Sequence, residues 1–519
     1  MLTRAPYLIG IDAGTSVIKA VLFTREGQEV QAMAEKIPVI STAQHTAEQD
    51  MDLVWQAVKY AVKNLLIYAG IEPDWIVAIG VTGQGDGCWL IDEEGRPVRP
   101  AILWSDGRAA EIINKWQEQG ITKEAWKING AVLFPGTQAP ILQWLQVHEP
   151  ETLSKARWSL YCKDWIAFNL TGKVATDETD ASRQFFDINR RCYSEHLVDI
   201  FGLRDYRHLL PEILPSNSIR GYLQPEPARE MGLTAGVPVV AGPFDVVACA
   251  LGLGCVEERS AFTILGTCIF NGVTLEAPFI GQEAGMNICH GLPERWLLGM
   301  PLMSGTPNLD WFIENLGYKF LRQAETSKVN IYSRLDELIA RVPVGSGGII
   351  YHPYISPAGE RAPFVKTSAR AQFIGLSLLN NTEHLLRAVY EGLAYAIRDC
   401  FNEVLDKIGE IRLCGGGARS QVWPQIIADV TGKPVSIAKG TEFGAKGAAL
   451  NAGVAVGMYG SLLEATRKAV SFDRQYLPDG QRRKKYDALY NVYRLIRETM
   501  FPVWDALQAA TLFTSSATN

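Results

Sequence analysis

Two α/β domains, each layering helices on a sheet, are what this sequence predicts, and three observations predict them. Strand-like and helix-like patterns alternate along the chain, which favours α/β layers over an all-β or all-α plan. The 519 residues exceed what one hydrophobic core usually holds, so two domains are expected. A buried strand, a polar glycine turn and a second strand occur at residues 7–23 and again at 260–270. That repetition reads as an internal duplication with its boundary in 245–260.

Composition narrows the class. Apolar residues make up 47% and charged residues 20%, an ordinary globular balance. A net charge of −6 speaks against nucleic acid or an anionic membrane as the partner. Nine cysteines are scattered with no C-x-x-C pair, which fits small apolar packing in a reducing compartment and hence a cytoplasmic protein. The first six residues run straight into a strand, so no signal peptide is expected. The longest apolar run, 237–254, is broken by Pro238, Pro243 and Asp245 and makes a poor membrane span.

The opening strand ends in Asp12, Gly14, Thr15 and Ser16. One acid, one glycine and two hydroxyls at a strand end suit a nucleotide phosphate with its metal. Gly14 lets backbone approach phosphate oxygens closely, and Asp12 is placed to hold Mg²⁺ through water. An ordinary hairpin turn is the competing reading. A polar loop leads to a helix over residues 51–68, capped by Asp50 and ended by Gly70. A strand over 75–81 runs into the glycine-broken turn 82–87, and further helices are expected to Gln119, over 136–148 and up to Gly172. Gln84 and Asp86, with Trp89 and Trp104 nearby, suit a polyhydroxylated ligand: polar groups hold hydroxyls while an aromatic face covers C–H. A solvated turn with both tryptophans in the core is the alternative.

Asp245 stands alone among small apolar residues after a strand over 237–241. A buried carboxylate without a partner is expensive, so it is paired, metal-bound or chemically employed; capping a helix that starts at Val246 is compatible with any of these. Gly266 and Thr267 repeat the opening turn after a strand over 260–265. A long helix from Asn381 or Thr382 to about Ile408 precedes a strand over 411–414. The loop 415–420 then joins that strand to a helix over 421–429, and its three glycines, Gly415, Gly416 and Gly417, let backbone lie flat against a purine or ribose. No G-x-x-x-x-G-K-[ST] occurs, so a nucleotide must be held by such turns and not by a P-loop. His290 and His352 read as structural. The tail past Ala510 is expected to be loose.

Taken together, Ile9-Gly-Ile-Asp-Ala-Gly-Thr-Ser16, Thr82-Gly-Gln-Gly-Asp-Gly87, Trp104-Ser-Asp-Gly-Arg108, Lys163-Asp-Trp165, Thr176-Asp177, Phe244-Asp245, Leu265-Gly-Thr267, Gly359-Glu-Arg-Ala-Pro363, Gly415-Gly-Gly-Ala-Arg-Ser420 and Glu442-Phe-Gly-Ala-Lys-Gly-Ala448 follow the order of a known family. The chain resembles the FGGY carbohydrate kinases over roughly residues 7–450. The resemblance implies two ribonuclease-H-like, actin-like ATPase domains with a cleft between them: 1–252 on the sugar side, 253–480 on the nucleotide side, then a C-terminal helix and tail over 481–519. It implies ATP and Mg²⁺, with Asp12 toward the metal, Gly14, Thr15, Ser16, Gly266 and Thr267 toward phosphates, and Gly415, Gly416 and Ala418 around adenosine. It makes Asp245 the catalytic base, with Gln84, Asp86, Trp104 and Asp245 holding a small sugar or polyol. A homodimer is among the admissible assemblies.

Where glycerol kinases place Arg and Glu after the motif's Gln, this chain has Gly85 and Asp86, and D-xylulose kinases put His at the Asp86 position. The motifs lean to the branch holding L-xylulose and erythritol kinases, with an L-xylulose-like pentulose favoured and erythritol or another polyol as the alternative. An actin-like, ATP-driven binding protein is the alternative of another class; it would not need Asp245, Asp86 and Trp104. A sugar-responsive regulator would need a DNA-binding appendage, and no basic or helix-turn-helix segment precedes Tyr7.

Overall fold

A computed structural model describes residues 6–43, 45–281 and 283–516, without the side chains of 512–516. The expectation about a leader falls on residues that lie partly outside this range, as do the last three residues of the tail. The described chain divides into two compact units made of interleaved segments. The first holds the chain through Glu258, then Thr274–Leu298 and Gly440–Ser471; the second holds Arg259–Val273, Gly299–Lys439 and the chain from Phe472 onward.

In the first unit, β1 (Tyr7–Ala13), β2 (Val17–Phe23), β3 (Glu29–Lys36), β4 (Ile76–Gly83), β5 (Ile219–Tyr222) and β6 (Pro238–Val240) form one sheet in the order β5-β6-β4-β1-β2-β3. β1 runs parallel to β4, with Asp12 opposite Thr82, and β6 runs parallel to β4 through Val239 and Ile79. These three strands therefore end at one edge, the edge where open α/β sheets build their sites. The helix Met51–Ala69 covers one face with Val54, Val58, Ala61 and Leu65, is capped by the Asp50 carboxylate and ends at left-handed Gly70. The helix Phe443–Ala455 covers the other face through Ala445, Ala449 and Leu450. This contact is backbone on backbone: a Cβ on Gly10 would lie 2.0 Å from the Ala445 carbonyl oxygen, and one on Gly80 2.0 Å from that of Ala448. That packing places Gly440–Ser471 in the first unit, far in sequence from its sheet.

The second unit repeats the local topology. β7 (Ser260–Leu265) pairs antiparallel with β8 (Ile269–Leu275) and parallel with β9 (Glu410–Cys414); β10 (Val435–Ala438) and β11 (Phe472–Tyr476) extend the sheet. The hairpin followed by a parallel strand matches β1, β2 and β4, which is the duplication the sequence predicted. The helix Thr382–Phe401 carries the expected Asn381 cap as a capping box and ends earlier than expected, in a 3₁₀ turn, Asn402–Lys407.

The C-terminal tail corrects an expectation. The helix Gly480–Ser516 continues past Ala510. Its buried Tyr486 and Tyr490 donate to Glu391 and Asp399 of the helix Thr382–Phe401 at 2.8 and 2.9 Å, and Lys366 reaches Asp505 at 2.6 Å. These anchors hold the expected helix over residues 486–505; past Ala510, where a loose tail is expected, the backbone stays helical to Ser516.

Candidate active site

In the first unit the ends of β1, β4 and β6 supply the side chains. The Gln84 amide donates to the Ala13 carbonyl at 2.8 Å, extending the β1–β4 register one residue beyond the ladder. Gln84 and Asp86 are buried, 3% and 7% exposed, so this turn is not a solvated one. Thr15 Oγ1 donates to Gln84 Oε1 at 3.0 Å and accepts the Trp104 indole N–H at 2.9 Å. Gln49 closes the circuit: Gln84 Nε2 donates to its Oε1 at 2.8 Å, and its own Nε2 donates to the Thr15 carbonyl at 2.6 Å. The Thr15 hydroxyl, expected to face phosphate, is thus tied to Gln84 and Trp104. Gly14 N–H closes its own turn on Val17 O at 3.1 Å, while Ser16 is exposed. Trp89 is fully buried in the core, which leaves Trp104 as the aromatic at this edge.

Asp86 adopts a left-handed backbone, φ 54°, and holds two donors. Arg183 Nη2 reaches Oδ2 at 3.1 Å and Gln184 Nε2 reaches Oδ1 at 2.8 Å. Neither was singled out in the sequence; the only signal was their place a few residues after Thr176-Asp177. Asp245 is the first residue of the helix Asp245–Gly252, with Phe244 in the cap position making no side-chain cap bond. Its Oδ1 is buried with no partner. Burial pushes its carboxyl up to about 8, the charges of Asp12 and Asp86 add to that, and the Val246 N–H and Arg183 oppose it. The Thr179 hydroxyl accepts the Phe244 N–H at 2.7 Å, fixing the residue before Asp245. Thr179 in turn sits on a short helical turn, Glu178–Ala181, capped by Asp177, which a fully buried Lys163 ties down at 2.9 Å together with Asp164 at 2.8 Å.

Asp12 lies against the backbone of Gly444, where a Cβ would come within 2.4 Å of its Oδ2. Burial raises its carboxyl to about 6, Lys19 opposing and Glu442 reinforcing; Lys19 and Glu442 themselves pair at 2.7 Å. Two carboxylates, Asp12 and Asp245, thus sit in an environment that penalises their charge, and one of them has an unused oxygen. Among the described residues no group of three or more metal-ligating side chains occurs. This sparse, oxygen-only set fits Mg²⁺, which keeps its waters and uses one or two carboxylates with substrate phosphates.

In the second unit the Gly266–Thr267 turn is clasped by a loop the sequence analysis missed. Gly305 N–H donates to the Thr267 carbonyl at 2.7 Å and Thr306 N–H to the Gly266 carbonyl at 2.9 Å. A Cβ on Gly305 would meet that Gly266 oxygen at 2.4 Å. The helix Pro307–Asn315 starts here; Gly305-Thr306 ahead of Pro307 was the available signal, since proline favours the first helical position. Gly415 and Gly416 follow β9, and Gly415 takes φ 86° against the Leu265 backbone. Gly416, Gly417, Ser420, Asp336, Thr306 and Tyr332 are among the residues lining a cavity of about 480 Å³, within the usual size of small-molecule pockets. Asp336 accepts from Ser420 Oγ and the Gln421 N–H, both at 2.7 Å, which holds the loop open around that cavity. Ala418 in the same loop is buried and is not among the lining residues.

Paired turns at the strand ends, a nucleoside-sized cavity in one unit and a cluster of acids and amides in the other define a two-domain α/β phosphotransferase. The chain matches the FGGY family of carbohydrate kinases, N-terminal domain, over residues 7–252 and the C-terminal domain over 261–456. An erythritol kinase of Brucella abortus is 34% identical over 98% of this chain and 99% of its own. An L-xylulose/3-keto-L-gulonate kinase of Escherichia coli is 32% identical over 94% and 96%. Among solved structures, a xylulose kinase from Rhodospirillum rubrum superposes with a TM-score of 0.87 at 25% identity, covering 96% of this chain and 100% of that one. The protein belongs to the FGGY family of carbohydrate kinases and uses ATP as phosphoryl donor. No helix among the described residues is long and apolar enough to cross a membrane.

Proposed function

We propose that the chain phosphorylates a small linear ketose or polyol, with an L-xylulose-like pentulose as the favoured substrate. The observation that carries this reading is the buried set on the first unit's sheet edge: Asp86 with its two donors, Gln84 with Trp104, and the unpaired oxygen of Asp245. Phosphoryl transfer asks mainly for positioning, charge neutralisation and one acceptor for the hydroxyl proton. Asp245 takes the proton of the attacking hydroxyl, whose oxygen forms the new bond to the γ-phosphorus while the bond to the β,γ-bridging oxygen breaks and ADP leaves. A carboxyl raised toward neutrality by burial suits a base working near neutral pH. Gln84, Asp86 and Trp104 hold the remaining hydroxyls and the C–H face. Gly14 and Ser16 in the first unit and Gly266 and Thr267 in the second are assigned to phosphate oxygens, the Thr15 hydroxyl being engaged by Gln84 and Trp104, and Gly415, Gly416 and Ala418 to adenosine. Asp12 would hold Mg²⁺, which when bound supplies charge neutralisation at the phosphates. Nine cysteines scattered with no C-x-x-C pair fit a reducing, cytoplasmic setting.

Erythritol is the second reading, supported by the 34% identity to an erythritol kinase. A panel of four- and five-carbon ketoses and polyols, assayed with ATP and Mg²⁺ for ADP release, tests both. Acceptor-dependent ADP with a pentulose is expected; none across the panel would overturn the reading.

A further inference from the structure

Arg183 is fully buried beside Asp86, and its hydrogen bonding is incomplete. It spends one nitrogen, Nη2, on Asp86 Oδ2 at 3.1 Å, while Nε and Nη1 have no partner. The other oxygen of Asp86, Oδ1, accepts from Gln184 at 2.8 Å and makes no bond to Arg183. A purely structural counter-ion would take the two-toothed geometry that arginine and carboxylate favour. Instead, Gln184 competes for the acid and the guanidinium is left with donors to spare. The guanidinium also lies 5.9 Å from the Phe244 ring centre, next to Asp245 in sequence. That ring is seated against Gly85, where a Cβ would come within 2.1 Å of it. Buried donors without acceptors are costly, and here they adjoin the two acids assigned to the acceptor substrate.

We propose that Arg183 is a substrate-binding, specificity-determining residue: its free N–H groups donate to an oxygen of the acceptor other than the one phosphorylated, while Asp86 accepts from a neighbouring hydroxyl. A guanidinium only donates. It therefore takes a ketone oxygen or a hydroxyl oxygen alike at that position and rejects a methylene, which offers nothing to the buried charge. The assignment rests on the kinase reading above and adds to it which chemical feature the site demands.

The test pairs substrate deletion with residue substitution. The wild type is assayed on its best acceptor from the panel and on that acceptor's monodeoxy analogues, one per carbon not phosphorylated; Arg183→Gln and Arg183→Lys are then assayed on the same set. One analogue should cost the wild type heavily in kcat/KM, toward the ~10⁴-fold by which a hydrogen-bonding site rejects a ligand lacking its partner. In Arg183→Gln the parent acceptor should itself be poor, and the penalty for that same analogue should shrink by at least about tenfold, the low end of a lost charged hydrogen bond. Replacing ketone by hydroxyl at that carbon should cost far less than removing the oxygen. Equal penalties for every analogue in the wild type and both variants would overturn the assignment. Should Arg183→Gln fail to fold, as judged by melting, Arg183→Lys decides by the same comparison, because lysine keeps the charge beside Asp86 but not the forked donors. A wild type that turns over no acceptor defeats the kinase reading, and this assignment with it; a wild type that turns over a sugar with position-independent penalties defeats this assignment alone.

Discussion

Asp245 shows how much a single carboxylate can carry and how to test it. Burial raises it, with the charges of Asp12 and Asp86 adding; one oxygen is unpaired, and it begins a helix without serving as the cap residue. Asp245→Asn keeps shape and hydrogen bonding but cannot take a proton. The expected outcome is a fall in kcat of about 10²- to 10⁴-fold, the usual weight of general-base assistance. ATP affinity and melting temperature should be nearly unchanged, because the cavity proposed for the nucleotide belongs to the second unit. Steady-state kinetics, nucleotide titration and melting on one preparation check this; kcat within a few-fold of wild type would remove Asp245 from the role of base. Its isolation among small apolar residues made it legible in the sequence. Arg183 and Gln184 were not legible: a polar pair after a motif becomes meaningful only when Asp86 is folded against it.

At the scale of elements, the recurring unit is a parallel strand whose end carries a glycine turn. β1, β4, β6, β7 and β9 each place candidate site residues just past the C-terminal end, and the strand–turn pattern in the sequence marks these same positions. The loop after β9 supports a prediction of its own. A Cβ on Gly416 would meet nothing within 4 Å and would enter the cavity that this loop lines. Gly416→Val should therefore leave the fold intact and weaken ATP binding. Crowding a filled site costs about 1–3 kcal/mol, roughly five- to 150-fold in affinity. The KM for the acceptor should stay close to wild type. Calorimetric titration of nucleotide beside acceptor kinetics checks the split, and equal loss of both would make the loop a support of the fold. The clasp by Gly305 and Thr306 was missed because its meaning lies in backbone hydrogen bonds to the distant Gly266–Thr267 turn, and backbone pairing leaves no composition signal.

Over the whole molecule, pH sensitivity follows from two buried histidines. His290 lies against the Cys255 carbonyl at 3.0 Å, and His352 sits between the Tyr493 carbonyl and the Gln372 amide, both at 3.0 Å. Burial is the main reason both imidazoles fall to about 4 from the ordinary 6.5. The folded protein therefore holds fewer protons than the unfolded chain between these values. The stability these residues contribute is complete above about pH 6.5 and is lost as pH falls toward 4. His352→Gln should melt lower than wild type at pH 7 and lose less in further acidification across that window. Tm measured as a function of pH for both proteins checks it; parallel curves would show that His352 does not set the acid limit.

The sequence by itself determined the family, the α/β class, the duplicated hairpin and most of the strand-end residues, because glycine turns, capping residues and isolated acids are local events written over a few positions. Only the tertiary structure decided which distant residues complete each site. It brought Gln49 to Gln84, Gln184 and Arg183 to Asp86, Asp336 to Ser420 and Gly444 to Asp12. It also decided that residues 440–471 join the N-terminal sheet and that the last helix is anchored by its tyrosines. The physical reason is the same in each case. A buried polar group must find a partner, and a glycine-faced helix must find a backbone to lie on, but neither requirement says where along 519 residues that partner will come from.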